Sequence, residues 1–214
     1  GTISVPATAA AGPVSLTYQI CEVASPSNCA SATVSLLVSP DALDDSYAVQ
    51  AGATLSGNVR DNDNYVIDSS FSQTGTPPTQ GTLQLLGDGN FTYVANAGAT
   101  GTDTFTYRLC LPGPNAAVCD TATVTVNLTA NTIDAVNDDF SAAPIAASSG
   151  GTTPSVLGND TFNGAAVVPA NLTTTLITAP AGYLINAAGV VTVPASAVAG
   201  PVTLGYRICL TAAP

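Results

Sequence analysis

The sequence has no lysine, histidine, methionine or tryptophan, and only three arginines, Arg60, Arg108 and Arg207. Against thirteen aspartates and one glutamate, Glu22, this leaves a net charge of -11. A chain so poor in cations cannot displace counterions from a phosphate backbone, which excludes nucleic-acid binding. Attraction to an anionic lipid surface is excluded for the same reason. Without His, and with a single Glu, the usual general acids and bases are missing. No nucleophile–base pair or phosphate-binding loop is present either, so the chain is not expected to be an enzyme. The lack of Lys also rules out an intramolecular Lys–Asn isopeptide bond. No run is long and apolar enough to span a membrane and no signal peptide is visible, so no membrane insertion is expected.

What is present is mostly neutral: 46% of residues are hydrophobic and only 8% are charged. That balance belongs to a globular chain rather than a disordered one. The periodicity is two. In "TDTFTYRLC", Phe105, Tyr107 and Leu109 alternate with Thr104, Thr106, Arg108 and Cys110; in "CDTATVTVNL", Ala122, Val124, Val126 and Leu128 alternate with Thr and Asn. These are half-buried antiparallel strands with their apolar residues on one face. Residues 81–96 read as a hairpin turning at Gly87-Asp88-Gly89-Asn90. No helix longer than a short turn is expected.

One strand occurs three times, as "LTYQIC" (16–21), "FTYRLC" (105–110) and "LGYRIC" (204–209). Residues 1–21 and 189–209 align without a gap and are identical at 13 of 21 positions. A second anchor recurs as "DALDDSYAV" (41–49) and "DAVNDDFSA" (134–142). The two anchors divide the chain into the back end of one repeat (1–40), a complete repeat (41–132) and a repeat that lacks its last strand (133–214).

The same division accounts for five cysteines. Cys21 has Cys29 eight residues on, Cys110 has Cys119 nine residues on, and Cys209 is left without a partner. The partner of Cys209 is expected either further along a longer chain or in a neighbouring subunit that supplies the strand. Each cysteine falls on the polar phase of its strand. A Cys21–Cys29 and a Cys110–Cys119 disulfide would therefore staple two adjacent strands at the mouth of their loop, on the outward face. A redox couple would sit two apart at a helix start, and zinc would need further soft ligands. A structural disulfide places the protein in an oxidising, extracellular compartment.

Asp41, Asp44 and Asp45, and again Asp134, Asp138 and Asp139, sit at the repeat junctions. Asp61, Asn62 and Asp63, then Asn159 and Asp160, follow after the first strands. Two readings are open. Clustered carboxylates and Asn carbonyls without basic neighbours suit Ca²⁺, which would stiffen a junction; Asp and Asn also favour turns and strand ends without any ion. Tyr18, Tyr107 and Tyr206, three residues before a cysteine, are expected to be core aromatics whose hydroxyls reach backbone partners.

The middle repeat resembles the tandem Ig-like or cadherin-like repeats of large bacterial surface adhesins and extracellular filament proteins. The resemblance rests on Asp44-Asp45-Ser46-Tyr47, Asn62-Asp63, Gly81-Thr82-Leu83, Gly87-Asp88-Gly89, Phe91-Thr92-Tyr93, Asp103 and Phe105-Thr106-Tyr107. The third repeat matches more loosely, through Asp138-Asp139-Phe140 and Asn159-Asp160, and has "NAAGVVTV" in place of G-D-G-x-F-T-Y. The resemblance implies an all-β chain of tandem Greek-key Ig-like β-sandwiches, seven- or eight-stranded, as beads on a string at the bacterial cell surface. The expected role is that of a stalk or filament segment whose partner is another copy of itself. The alternative is a module that binds a glycan or a surface partner.

Overall fold

A computed structural model describes residues 1–211, and positions 212–214 of the third predicted repeat lie outside the described residues. The chain divides into two compact units, Gly1–Ala130 and Asn131–Pro214.

The first unit begins with a hairpin of β1 (Gly12–Cys21) and β2 (Cys29–Val38). A two-sheet sandwich follows. One sheet holds β3 (Asp45–Gln50), β5 (Ser70–Thr74), β8 (Gly101–Cys110) and β9 (Cys119–Thr129) in the order β3-β9-β8-β5. The other holds β4 (Thr54–Asn58), β6 (Gly81–Leu85) and β7 (Asn90–Ala95) in the order β4-β7-β6. All neighbours are antiparallel except β3, which runs parallel to β9 from Asp45↔Val124 to Gln50↔Thr129. The core lies between the sheets and consists of the residues the alternation puts on one face. Phe105, Tyr107, Leu109, Ala122, Val124, Val126 and Leu128 are all buried, against Val59, Phe71, Phe91 and Tyr93 from the facing elements. Burying each large apolar side chain contributes roughly 1.5–3 kcal/mol. The hairpin at 81–96 turns where expected, and Gly89 takes φ +88°, which only glycine adopts without strain.

The first hairpin repeats the strand sequence of β8 without its surroundings. Tyr18 is 47% exposed and Ile20 64%, whereas Tyr107, at the equivalent position, is fully buried. The same apolar phase is present, but no facing sheet covers it.

The second unit contains β10 (Ile133–Asp134), β11 (Gly151–Ser155), β12 (Thr161–Phe162), β13 (Ala165–Ala166), β14 (Leu172–Thr178), β15 (Leu184–Ile185), β16 (Val190–Val193) and β17 (Gly205–Leu210). Three of its strands reproduce one sheet of the sandwich: β11-β16-β15 corresponds to β4-β7-β6. The pair β14-β17 corresponds to β5-β8. The third repeat lacks the G-D-G-x-F-T-Y motif but still forms the hairpin. Asn186 and Gly189 hold its turn through Gly189 N–H to Asn186 O, as Leu86 and Gly89 do in the first unit. What the turn requires is a residue with positive φ, and Gly189 supplies it at +76°.

No strand follows β17 among the described residues, and none forms over 139–150, the counterpart of β3. In the first unit β3 pairs with β9 alone.

Candidate functional site: junction clasps and closed hairpins

Both disulfides read from the sequence are formed. Cys21 faces Cys29 and Cys110 faces Cys119 directly across their antiparallel ladders, with S–S distances of 2.04 and 2.05 Å and Cα atoms 4.1 Å apart. Cys209 is free. The outward placement holds for Cys21 and Cys29, which are exposed, but not for Cys110, which is only 4% exposed. Cys110 is flanked on both sides, by Cys119 of β9 and Ser70 of β5. The ladder also continues one step beyond it, through Leu111 N–H to Val118 O. Parity fixes the phase of that sulfur and not its cover.

At the head of the sandwich, the chain leading into β3 is tied down by acidic side chains. Tyr107 Oη donates into the Asp63 carboxylate at 2.8 and 2.9 Å, and the carbonyls of Leu43 and Val59 lie 3.1 and 3.2 Å from the same hydroxyl. Asp63 Oδ1 also accepts from Leu43 N–H at 2.7 Å. Asp44 Oδ1 accepts from Thr123 N–H at 2.7 Å, and Asp120 Oδ2 from Ala42 N–H at 2.9 Å. Asn62 Nδ2 donates to the carbonyls of Leu43 and Asp44.

The second unit builds the same clasp from the residues the repeat predicts. Tyr206 Oη meets Asp160 Oδ1 and Oδ2 at 3.0 and 3.2 Å, with Val136 O at 3.1 Å and Val156 O at 3.2 Å. Asp160 Oδ1 accepts from Val136 N–H, and Asn159 Nδ2 donates to Asn137 O. Tyr107 and Tyr206 thus hold backbone partners as expected, while Tyr18 has no such surroundings.

Each clasp has more acceptors than protons. One hydroxyl hydrogen faces a carboxylate and two carbonyls, and a further buried oxygen, Asp45 Oδ2 in one unit and Asp138 Oδ2 in the other, has no hydrogen-bond partner. Burial, with Asp63, Asp61 and Asp44 close by, pushes the Asp45 carboxyl up to about 7. Burial also raises Asp63, opposed by its bonds from Leu43 and Tyr107 and aided by the charges of Asp41 and Asp120. Asp138 is raised by burial and by Asp160. Both tyrosines are raised, first by burial and then by their aspartate partners.

Of the residues read as Ca²⁺ ligands, Asp44, Asp63, Asp139 and Asp160 accept hydrogen bonds. The structure draws Asp44, Asp45, Asp61 and Asp63 together, and likewise Asp138 with Asp160. Asp41 pairs through its backbone with Asn64, Asp134 lies in β10 against Thr161, and Asp139 turns its Oδ1 to Ser141 N–H at 2.9 Å. Among the described residues no group of three or more His, Cys, Asp or Glu is placed to hold a metal ion. Some of these oxygens accept from amides and a tyrosine hydroxyl, while Asp45 Oδ2 and Asp138 Oδ2 are buried without a hydrogen-bond partner.

One buried carboxylate escapes the sequence reading of sites. Asp103 is 6% exposed and accepts from Tyr93 Oη at 2.8 Å, Thr79 N–H at 3.0 Å, Gln80 N–H at 2.8 Å and Thr104 N–H at 3.0 Å. Burial pushes its pKa up, but these bonds outweigh it and hold the carboxyl below the usual range. Its signal lies in the alternation: Asp103 shares the inward phase of Phe105 and Tyr107, where a charge must be fully hydrogen-bonded.

Two sheets in Greek-key order, β3 parallel to β9 and an aromatic core define an Ig-like β-sandwich. Residues 38–129 match the family described as Bacterial Ig domain. No curated protein matches the chain. Among solved structures it is similar to a SusE-like surface-located polysaccharide binding protein from the Bacteroides thetaiotaomicron heparin utilisation locus (19% identity, 75% of this chain and 30% of that one, TM-score 0.35). It is also similar to the EC3-6 fragment of protocadherin gammaB7 (15% identity, 93% and 59% of the chains, TM-score 0.31). An endo-fucoidan hydrolase of glycoside hydrolase family 107 shows 15% identity over 56% of this chain and 19% of its own, with a TM-score of 0.32. The chain thus spans between a fifth and three fifths of the length of these proteins. With TM-scores this low, these likenesses decide neither fold nor activity.

Proposed function

We propose that this chain is a structural segment of an extracellular bacterial stalk or filament, built to carry tension rather than to perform chemistry. The observation that carries the reading is the parallel pairing of the first and last strands of the sandwich, β3 and β9. The chain enters at the start of β3 and leaves at the end of β9. Pulling on the two ends therefore slides the strands past one another and loads the whole six-residue ladder at once, instead of opening it bond by bond. The acidic clasp fixes the leading segment beside that ladder, and the disulfide closes the hairpin that contains β9. Disulfides suit an oxidising exterior. A non-enzymatic role agrees with a chain lacking His and Lys. Adhesion would be served by such a segment as a spacer.

Electron microscopy of the native material tests this. The expected image is a beaded thread with a period of about 35–40 Å, the span of a ten-residue strand with its loops. Isolated globular particles in the native state would overturn it. A second reading, a glycan- or surface-binding module, is favoured by one feature, an open cavity of about 590 Å³ bordered by Arg60, Tyr65, Asp68, Phe71 and Asp88. Binding to a glycan array that is lost in Tyr65→Ala would support it.

A further inference from the structure

We propose that the open cavity beside the 81–96 hairpin binds an uncharged glycan, reading a vicinal pair of hydroxyls through Arg60 and Asp68 against the ring of Tyr65. This rests on the glycan-binding reading above and names the class of sugar.

The first argument is how the cavity is held. Phe71 N–H donates to Gly87 O at 3.1 Å and Val59 N–H to Gly89 O at 3.0 Å, which ties β5 and the segment leading into Arg60 to the hairpin turn. A Cβ on Gly89 would stand 3.4 Å from Arg60 Cβ and 3.5 Å from Phe71 Cδ2, so the bare glycine lets the arginine stem and the ring close in. Tyr65 meets Phe71 edge to face, with ring centroids 5.8 Å apart. On the loop before β5, Val66 N–H donates to Ser69 Oγ at 3.3 Å and Ser69 N–H to Val66 O at 3.1 Å. That tight turn holds Asp68 at φ +66°, a left-handed conformation that costs a non-glycine residue free energy. The cavity volume of about 590 Å³ lies in the range of small-ligand sites, about 300–1,000 Å³.

The second argument is which groups lack partners. The Arg60 guanidinium makes no ion pair or hydrogen bond among the described residues, and the Tyr65 hydroxyl and Asp68 carboxylate have no hydrogen-bond partner. Bonds from Asn90, and last the charge of Arg60, lower the Asp88 carboxyl, so arginine and aspartate lie near each other without pairing. An anion needs only donors and a cation only acceptors. A vicinal diol needs both at once, because each hydroxyl donates one hydrogen bond and accepts others. Arg60 supplies the donors and Asp68 and Asp88 the acceptors, and the two sets do not satisfy each other. The apolar C–H face of a pyranose suits the ring of Tyr65, whose hydroxyl adds a further polar contact.

Local charge settles the class. Charges farther off than about 8 Å are screened at physiological salt. Within the cavity, Asp68 and Asp88 stand against Arg60 alone. A uronate or a sulfate ester brought there meets net repulsion, and an uncharged sugar does not.

The test screens the full chain against an array of neutral oligosaccharides of glucose, galactose, mannose, xylose and N-acetylglucosamine. Oligogalacturonate and oligoglucuronate serve as charged counterparts, and hits are titrated by calorimetry. The expected result is saturable binding of a neutral oligosaccharide, about tenfold or more tighter than any uronate. Arg60→Gln and Tyr65→Ala should each weaken it by about tenfold. Asp68→Asn keeps an acceptor oxygen without the charge, so it should retain neutral binding and narrow the gap to the uronates. Urea midpoints show that each variant folds, and Tyr65→Phe takes the place of Tyr65→Ala if the latter does not. Hits confined to uronates would overturn the charge assignment and leave the glycan-binding reading standing. Neutral binding indifferent to both Arg60→Gln and the Tyr65 variant would place the sugar outside the cavity and overturn the site. No hit on the array would remove this proposal and the glycan-binding reading together, leaving the structural segment.

Discussion

Asp103 ties four donors from three segments to one carboxylate, and it is the residue whose loss should be felt most. Asp103→Ala orphans the amides of Thr79 and Gln80 and the Tyr93 hydroxyl inside the sandwich. The expected cost is about 2–4 kcal/mol in urea unfolding, with Asp103→Asn losing less because it keeps one acceptor oxygen. Asp45 works in the other direction. Its folded pKa of about 7 stands above its ordinary value of 3.8, so across that window the folded state holds a proton that the unfolded chain releases. Stability from this group is greatest below about pH 4 and falls as pH rises toward 7. Asp63 and Asp138 have the same sign, and Asp103 the opposite. Urea melts between about pH 4 and 7.5 should therefore show a downward slope that flattens in Asp45→Asn. A slope unchanged by that substitution would contradict the assignment. The clasp itself is half legible in the sequence. The anchors mark Asp63, Asp160 and the tyrosines, but which oxygen meets which donor depends on loop paths that periodicity does not encode.

At the scale of elements, alternation and repeats carry most of the fold. The phase of β8 and β9, the hairpin at 81–96 and both disulfide pairs follow from period two and recurrence. Cys110 departs from its expected exposure because alternation assigns a face and says nothing of flanking strands. The hairpin of β15 and β16 is hard to see in the sequence because its motif is gone, though its one essential residue remains. Gly189 combines positive φ with a crowded surround: a Cβ added there would meet Leu157 Cγ at 2.6 Å and Ser155 Oγ at 2.8 Å. Gly189→Ala should cost about 1–3 kcal/mol in urea unfolding. Gly87→Ala, at a turn position with nothing within 4 Å, should be nearly neutral and serves as the control. Equal effects at the two positions would show that the close approach is not what selects glycine.

For the whole molecule, an architecture of paired β-sheets is legible because strands of period two recur along the chain. The use of the acidic clusters is not, since the same Asp-rich text serves an ion or a set of hydrogen bonds equally well. Asp63 and Asp160 accept from amides and tyrosines while Asp45 Oδ2 and Asp138 Oδ2 have no partner, so thermal melts with and without chelator separate the two: a drop in the midpoint on chelation shows an ion, and an unchanged midpoint shows hydrogen bonds alone. The central claim is mechanical, and stretching single molecules between their ends addresses it directly. The sandwich should give way in one step, when the β3–β9 ladder shears. The length released should grow by about 30 Å after reduction, as the nine-residue span from Cys110 to Cys119 is freed at about 3.3–3.6 Å per residue. Gradual extension without a step, or a released length indifferent to reduction, would contradict the account.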